Sequence, residues 1–276
     1  MTLRFTKMHG IGNDFVVLDR RDADAPLSAE LARALSDRHF GVGCDQVMTI
    51  ERSDDAAFAF RYGIYNADGS GAGQCGNGLR CVVRWLADRG LAPQAAFRLL
   101  GPSGPVSVEL RGHGRVRADM GLPEFDVARV PLALEKTELR YALDLDGRRV
   151  EFGAVSIGNP HAVIIVDDVE TTDVGTLGAA IETHALFPDR VNVGFVQIID
   201  RAYVRLRVFE RGVGETLACG SGACAAVAVL HQWQRVDDDV LVRLPGGELE
   251  ISWTGPGASI WMTGPTTTVF EGEWNP

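Results

Sequence analysis

Two stretches of this chain repeat each other, and the repeat is too long for a solenoid. Gln74-Cys75-Gly76-Asn77-Gly78 and Ala218-Cys219-Gly220-Ser221-Gly222 both carry Cys-Gly-X-Gly, and both run into an apolar, helix-like segment. The polar landmarks ahead of them keep step. Asn66 lies nine residues before Cys75, and Glu210 nine before Cys219. Gln46 precedes its cysteine by 29 residues and Asn192 by 27; Asn13, in Gly12-Asn13, precedes by 62 and Asn159, in Gly158-Asn159, by 60. Landmarks in one order at nearly constant offset describe two similar halves rather than a stack of short repeats. The 276 residues are enough for two such domains with a large buried core. Gly121 to Pro131, with Pro123, Pro131 and several charges, reads as the link. The expected halves are 1–119, completed by a last strand within 265–276, and 120–264. Two like halves facing each other would bring both cysteines to one interdomain cleft, a common place for a small-molecule site.

The local chemistry of each copy is specific. The first backbone N–H groups of a helix have no intrahelical partner, and the helix dipole adds partial positive charge there. A cysteine at that position, followed by residues small enough to let the backbone approach, is expected to favour its thiolate. Two such thiols suit a reaction in which one removes a proton from carbon and the other returns one.

Composition removes other classes. A net charge of −10, from 37 acidic and 27 basic residues, argues against a general nucleic-acid binder. No apolar run is long enough to span a bilayer, and Met1-Thr2-Leu3-Arg4-Phe5-Thr6-Lys7 lacks the apolar core of a signal peptide, so a soluble, cytoplasmic protein is expected. The five cysteines are odd in number and contain no Cys-x-x-Cys pair, which speaks against a disulfide framework or a structural zinc. Cys81 and Cys224 fall in apolar segments and read as core residues, and Cys44 as packing with some prospect of thiol reactivity. The loop Asn66–Gly73 lacks the Gly-Lys-Ser/Thr ending of a phosphate loop, and no dinucleotide glycine fingerprint occurs.

Along the chain, period-two and continuous apolar runs predict strands over 3–8, 15–19, 46–50, 57–65, 106–110, 116–120, 139–145, 149–156, 162–166, 191–199, 203–209, 240–244, 248–253, 260–263 and 266–270. Asp146-Gly147 reads as a turn. Helices are expected over 29–39, capped by Ser28 with Leu31, Ala34 and Leu35 on one face, over 79–91, 174–185 and 222–232. The last is apolar on all sides as far as His231, as a helix buried inside a strand-rich domain would be. Asn13 and Asn159 stand at strand ends, where an amide serves a ligand or bonds its own turn.

Several of these blocks together resemble the diaminopimelate epimerases: Lys7-Met8-His9-Gly10-Ile11-Gly12-Asn13-Asp14-Phe15, Asn66-Ala67-Asp68-Gly69, Gln74 to Cys81, Gly158-Asn159-Pro160-His161, and Glu210 to Gly222. The resemblance covers residues 3 to about 264. It implies an α+β fold of two pseudo-symmetric domains, each a β-barrel-like sheet wrapped around a central helix, with the active site in the interdomain cleft. It implies a cofactor-independent isomerase, with no pyridoxal phosphate and no metal. Such an enzyme interconverts LL- and meso-2,6-diaminopimelate on the route to lysine and peptidoglycan precursors. Carried over by position, Cys75 and Cys219 become the two acid/base residues, with His161 and Glu210 tuning the thiols. Asn13, Gln46, Asn66, Asn159, Asn192, Glu210 and Arg211 become substrate contacts. Gly76, Asn77, Gly220 and Ser221 offer donors to the reacting carboxylate. Read alone, His161 serves equally as a hydrogen-bonded core histidine. The expected partner is the substrate diaminopimelate, with no nucleic acid and no membrane, and a homodimer is compatible with the reading. Phe40, Cys44 and the flexible Gly71-Ala72-Gly73 are departures from the family pattern that touch no matched site residue.

Two alternatives are weighed. Proline racemase-like or hydroxyproline epimerase-like enzymes resemble this chain in using two cysteines, but typically carry His where Asn77 stands, and their ligand would leave Arg211 idle. A cysteine-based redox or metal-binding protein would require ligand clusters that the spacing does not supply.

Overall fold

The computed structural model describes residues 2–23, 25–145 and 147–275, and the chain divides into two compact units. The first comprises Met1–Asp119 with Thr263–Pro276, the second Met120–Met262.

The first unit is built from β1 (Leu3–Gly10), β2 (Asn13–Asp19), α1 (Ala29–Ser36), β3 (Gln46–Glu51), β4 (Phe60–Asn66), α2 (Gly76–Asp88), β5 (Ala96–Gly101), β6 (Gly104–Arg111) and β7 (Arg115–Asp119). The second contains β8 (Tyr141–Leu145), β9 (Arg148–Ser156), β10 (Pro160–Ile165), α3 (Val174–Glu182), β11 (Asn192–Ile198), β12 (Tyr203–Glu210), β13 (Gly214–Thr216), α4 (Gly220–Gln232), β14 (Asp239–Leu244) and β15 (Gly247–Ser252). β16 (Trp261–Pro265) carries the chain back to the first unit, where β17 (Thr267–Trp274) pairs antiparallel with β1.

The repeat seen in the sequence is a repeat of topology. In the first unit β1 runs antiparallel to β2, β2 parallel to β3, β3 antiparallel to β4, β4 parallel to β5, and β5 antiparallel to β6. In the second, β9, β10, β11, β12, β14 and β15 follow the same series of senses. β8 lies against β9 as β17 lies against β1. α2 packs on β1, β2 and β3 and also on β6 and β7, and α4 on β9 to β12 and also on β15. Each sheet therefore curls around its helix.

Local chemistry accounts for the elements. The β1–β2 hairpin turns on two residues with positive φ, Ile11 at 47° and Gly12 at 94°, which matches the twist of the flanking strands. Glycine carries that conformation at no steric cost, whereas Ile11, β-branched and buried, is held there by its surroundings. α4 buries every residue from Gly220 to Leu230 except Ser221, as its uniformly apolar sequence requires. α2 buries Leu79, Cys81, Val82, Val83, Trp85 and Leu86. Each such aliphatic side chain contributes roughly 1.5–3 kcal/mol relative to exposure.

Several predicted boundaries move. α1 is capped by Ser28, whose side chain accepts from Leu31 N, but it stops at Ser36 rather than reaching His39. Asp37 takes an extended backbone, and its carboxylate accepts from His39 N and Phe40 N at 2.7 and 2.9 Å, a local turn that competes with the helix. Its buried face is Ala32, Leu35 and Ser36, and Ala34 points to solvent. α2 and α4 begin at Gly76 and Gly220, directly after the cysteines. Of the predicted Asp146-Gly147 turn, Asp146 lies outside the described residues, and Gly147 has φ 84°. No helix among the described residues is long and apolar enough to cross a membrane.

Candidate active site

Cys75 and Cys219 are the N-caps of α2 and α4. Both hold extended backbone, with φ −149° and −120° and ψ 103° in each. In this position the cap side chain, not the main chain, meets the free N–H groups of the first turn. Cys75 Sγ accepts from Gly78 N at 3.4 Å, and Cys219 Sγ from Gly222 N at 3.3 Å. Those glycines are required by space. A Cβ at Gly78 would stand 2.6 Å from Met48 Sδ, and one at Gly222 3.0 Å from Val208 and 3.1 Å from Cys219 Sγ. All five cysteines are free.

In the first unit, Asn13 leads β2 directly after the strained hairpin turn. Cys75 Sγ donates to Asn13 Oδ1 at 3.8 Å, and Asn77 Nδ2 donates to the same oxygen at 3.3 Å. Asn77 Oδ1 accepts from Arg80 at 2.7 Å, and Arg80 is fully buried. Gln46 and Asn66 face each other across β3 and β4, with Gln46 Nε2 donating to Asn66 Oδ1 at 2.9 Å. Asn66 in turn donates to Ser70 Oγ at 3.0 Å.

In the second unit, His161 Nε2 lies 3.0 Å from Asn159 Oδ1 and 3.1 Å from Ser221 Oγ, and Ser221 Oγ lies 3.6 Å from Cys219 Sγ. An amide oxygen only accepts, so the His161 proton sits on Nε2. Burial, reinforced by the charge of Arg211, lowers the His161 pKa to about 3, so the ring is neutral. His161 therefore reaches the thiol through Ser221 and brings no positive charge to it. Asn192 is buried between turns, donating to Pro160 O at 2.8 Å and accepting from Arg211 N at 3.0 Å. The Arg211 guanidinium donates to Asp189 O at 3.1 Å. Glu210 ends β12 and accepts from Thr216 Oγ1.

The expectation that the helix start favours a thiolate is overturned at Cys219. Its pKa is raised, first by burial and then by the Glu210 carboxylate, which repels the thiolate and accepts a hydrogen bond from the thiol. The bonds from Ser221 and Gly222 N pull the other way without prevailing. Cys219 is held as a neutral thiol. Burial also raises the pKa of Cys81 and Cys44. Cys44, with its sulfur 3.5 Å from Ser36 Oγ, is an inert packing residue rather than a reactive thiol.

Each candidate sulfur thus meets at least one donor that serves the thiolate and at least one acceptor that serves the thiol. For Cys75 they are Gly78 N–H and Asn13 Oδ1; for Cys219, Gly222 N–H and Glu210. A group that gains and loses a proton in every cycle needs both.

The sequence reading passed over residues that hold these groups. Asp45 accepts from Asn13 Nδ2 at 2.7 Å and from Asp14 N at 3.0 Å. Glu182, buried on α3, accepts from Gly212 N at 2.7 Å and fixes the turn that follows Arg211. Arg80 carried the clearest available signal, a charge inside an otherwise apolar helix face. Among the described residues no group of three or more His, Cys, Asp or Glu side chains could hold a metal ion.

A profile of the diaminopimelate epimerase family matches residues 5–125 and 153–269. The diaminopimelate epimerase of Xanthomonas euvesicatoria pv. vesicatoria is 56% identical over 276 residues, covering 99% of this chain and 96% of that protein. That of Aromatoleum aromaticum is 50% identical over 273 residues, covering 99% of each. Among solved structures, a hydroxyproline epimerase from Agrobacterium vitis with bound trans-4-hydroxy-L-proline superposes with a TM-score of 0.71 over 99% of this chain and 92% of that one. At 18% identity that likeness is one of fold. By profile and by relatives spanning its whole length, the chain belongs to the diaminopimelate epimerase family.

Proposed function

We propose that this protein interconverts LL- and meso-2,6-diaminopimelate without a cofactor, using Cys75 and Cys219 as a thiolate/thiol pair. The observation that carries the reading is the pair of N-cap cysteines, each set between a donor and an acceptor, in a chain of this family. In either direction one thiolate takes the α-hydrogen as a proton, and the C–H bond pair stays on the α-carbon. The opposite thiol delivers its proton to the other face. The two cysteines exchange protonation states, and no electron acceptor is needed.

The carbanion is the difficulty. Each helix start can contribute up to ~2 kcal/mol when partly buried, so dipoles alone do not suffice. N–H donors at Gly76 and Gly220, with the side chains of Asn77 and Ser221, would bind the reacting carboxylate and stabilise charge as it develops, a preorganised arrangement. General acid–base catalysis by the thiols adds roughly 10²–10⁴-fold. Arg211 would take the second carboxylate of the substrate, and Glu210 with the amides of Asn13, Gln46, Asn66, Asn159 and Asn192 would receive its ammonium and carboxylate groups. The role read for Glu210 is to hold Cys219 as the thiol until substrate arrives, and His161 tunes the same thiol through Ser221. The product belongs to lysine and peptidoglycan precursor synthesis. A cytoplasmic homodimer completes the proposal, supported for compartment by the five free thiols.

The test is proton NMR of LL-diaminopimelate with the purified, reduced protein in D₂O. Loss of the α-proton signal with appearance of the meso isomer supports the reading. Exchange of proline or hydroxyproline instead would transfer the chain to the other two-cysteine enzymes of this fold.

A further inference from the structure

Arg80, Asn77, Asn13 and Asp45 form a chain of hydrogen bonds with a fixed polarity. Arg80, 0% exposed, donates to Asn77 Oδ1 at 2.7 Å. Asn77 Nδ2 donates to Asn13 Oδ1 at 3.3 Å, and Asn13 Nδ2 donates to Asp45 Oδ2 at 2.7 Å. A guanidinium can only donate and a carboxylate can only accept. The two ends therefore dictate which way both amides between them point. Asn77 must turn its oxygen to Arg80, and Asn13 must turn its nitrogen to Asp45. The consequence is that Asn13 presents oxygen, not nitrogen, to Cys75 Sγ at 3.8 Å.

Asp45 is itself held. Its Oδ1 accepts from Arg38 at 2.7 Å, and Arg38 also pairs with Asp14 at 2.8 Å, while Lys7 pairs with Asp14 at 2.5 Å and donates to Gly43 O. Asp14 and Asp45 each take a backbone N–H of the other's segment, Asp14 N to Asp45 Oδ2 and Asp45 N to Asp14 Oδ1, both at 3.0 Å. This cross-tie locks the start of β2 to the loop before β3.

We infer that Asp45 and Arg80 are positioning residues for the epimerisation, acting as the acceptor-only and donor-only ends of a relay that keeps an amide oxygen on Cys75. The inference rests on Cys75 being one of the two acid/base thiols. An oxygen at that place accepts from the thiol and opposes the thiolate, so the relay holds a proton on Cys75 in a fixed direction. A reversed Asn13 would donate to the thiolate and withdraw that hold.

The test compares Asp45→Asn with Asp45→Ala. Both remove one negative charge, so any effect of charge alone is common to them. They differ in what they do to the relay. In Asp45→Asn a single amide oxygen replaces two carboxylate oxygens, one serving Arg38 and the other serving both Asn13 Nδ2 and Asp14 N, so the new NH₂ faces Asn13 whenever Arg38 holds the oxygen. Two donors then meet head-on somewhere between residues 45 and 77, and Asn13 loses its unique orientation. In Asp45→Ala no donor is introduced, and Asn13 stays oriented by Asn77. The Asp45 side chain is 45% exposed and the Asp14 ion pairs persist in both variants, so each is expected to fold.

The readout is the pH profile of Cys75 alkylation by iodoacetamide, quantified on the Cys75 peptide, alongside kcat and KM for diaminopimelate. Asp45→Asn lowers the Cys75 midpoint by about half to one pH unit, as expected for one weak hydrogen bond. It lowers kcat about tenfold with KM within about twofold of the parent. Asp45→Ala gives the smaller change in both. Equal shifts in the two variants, or a larger one in Asp45→Ala, would reduce Asp45 to a simple charge and overturn the relay. An unmoved Cys75 midpoint in Asp45→Asn would overturn it as well. Unaltered protein that does not epimerise diaminopimelate would instead refute the proposed function, and the alkylation comparison would still decide the relay.

Discussion

Replacing Glu210 by glutamine lowers the pKa of Cys219. The carboxylate acts on the thiol in two ways of the same sign, by charge and by accepting the S–H bond. A unit charge about 4 Å away is worth about 4 kcal/mol at an effective dielectric constant near 20. The Thr216 hydroxyl donates to the carboxylate and disperses part of that charge. Burial, the larger cause of the raised pKa, is untouched by the substitution. The expected fall is about 1–2 pH units, since each unit is worth about 1.4 kcal/mol. NMR of protein labelled at the cysteine β-carbon follows the titration, with Cys219→Ser assigning the resonance. In the same variant kcat/KM falls, because the acceptor proposed for a substrate ammonium is lost together with the restraint on the thiol. A Cys219 midpoint that stays in place or rises in Glu210→Gln would refute the assignment of Glu210 as the group that keeps Cys219 protonated.

Cys75→Ala and Cys219→Ala each abolish epimerisation to below about a thousandth of the parent rate while far-UV circular dichroism stays unchanged; near-normal turnover in either would remove that residue from the chemistry. Gly78→Ala drives a Cβ to 2.6 Å from Met48 Sδ, so unfolding by urea reports a loss of about 1–3 kcal/mol and turnover falls as the Cys75 cap is displaced. Stability also declines in alkali. The folded-state pKa values of Cys44, Cys81 and Cys219 are raised, so above about pH 8.5 the unfolded chain releases protons that the folded one retains. Cys81→Ala flattens that decline by up to about 1.4 kcal/mol per pH unit, and an unchanged slope in urea titrations at rising pH would contradict it. At the acid side, His161 is neutral when folded down to about pH 3. The unfolded chain binds that proton below about pH 6.5, and His161→Gln reduces the steepness of acid unfolding across this window.

The twofold organisation was legible because matched polar residues flank each cysteine, and the alternation and apolar runs placed most strands within a few residues. What escaped the sequence has identifiable causes. β5 was missed because Phe97 and Leu99 are its only well-buried residues, separated by the exposed Arg98 and followed by the half-buried Leu100 and Gly101. β13, three residues long, is specified by its pairing to the end of β12 rather than by its own composition. α1 ended early because the Asp37 carboxylate took the N–H groups of His39 and Phe40. The candidate site residues could be named from the resemblance, but the residues that hold them could not: Asp45 sits in an unremarkable loop, and Glu182 looks like a solvated helix residue until the Gly212 N–H is seen beneath it. The sign of the Cys219 shift escaped as well, since a helix N-terminus predicts a lower pKa and only the packed structure reveals burial and Glu210 acting against it.

The repeat is faithful in backbone and unfaithful in side chains, and the chemistry needs both. Equivalent strand senses and equivalent N-caps give two sulfurs the same relation to a helix start. A reaction that must run in both directions requires that likeness, because each thiol has to be acid in one direction and base in the other. Yet a substrate with different groups on its two sides requires the surroundings to differ. Counting from the cysteines, Asn77 stands where Ser221 stands and Arg80 where Cys224 stands. The first helix start is therefore braced by a buried cation through two amides, and the second by a neutral histidine through a hydroxyl with a carboxylate alongside. Replacing this pair, by Arg80→Cys with Asn77→Ser, gives the first helix start the residues of the second at these two positions, while Asn66 still stands where Glu210 does. The expected outcome is a folded protein whose epimerisation falls at least a hundredfold, because Asn13 loses the partner that orients it on Cys75; retained turnover would show that backbone likeness alone suffices.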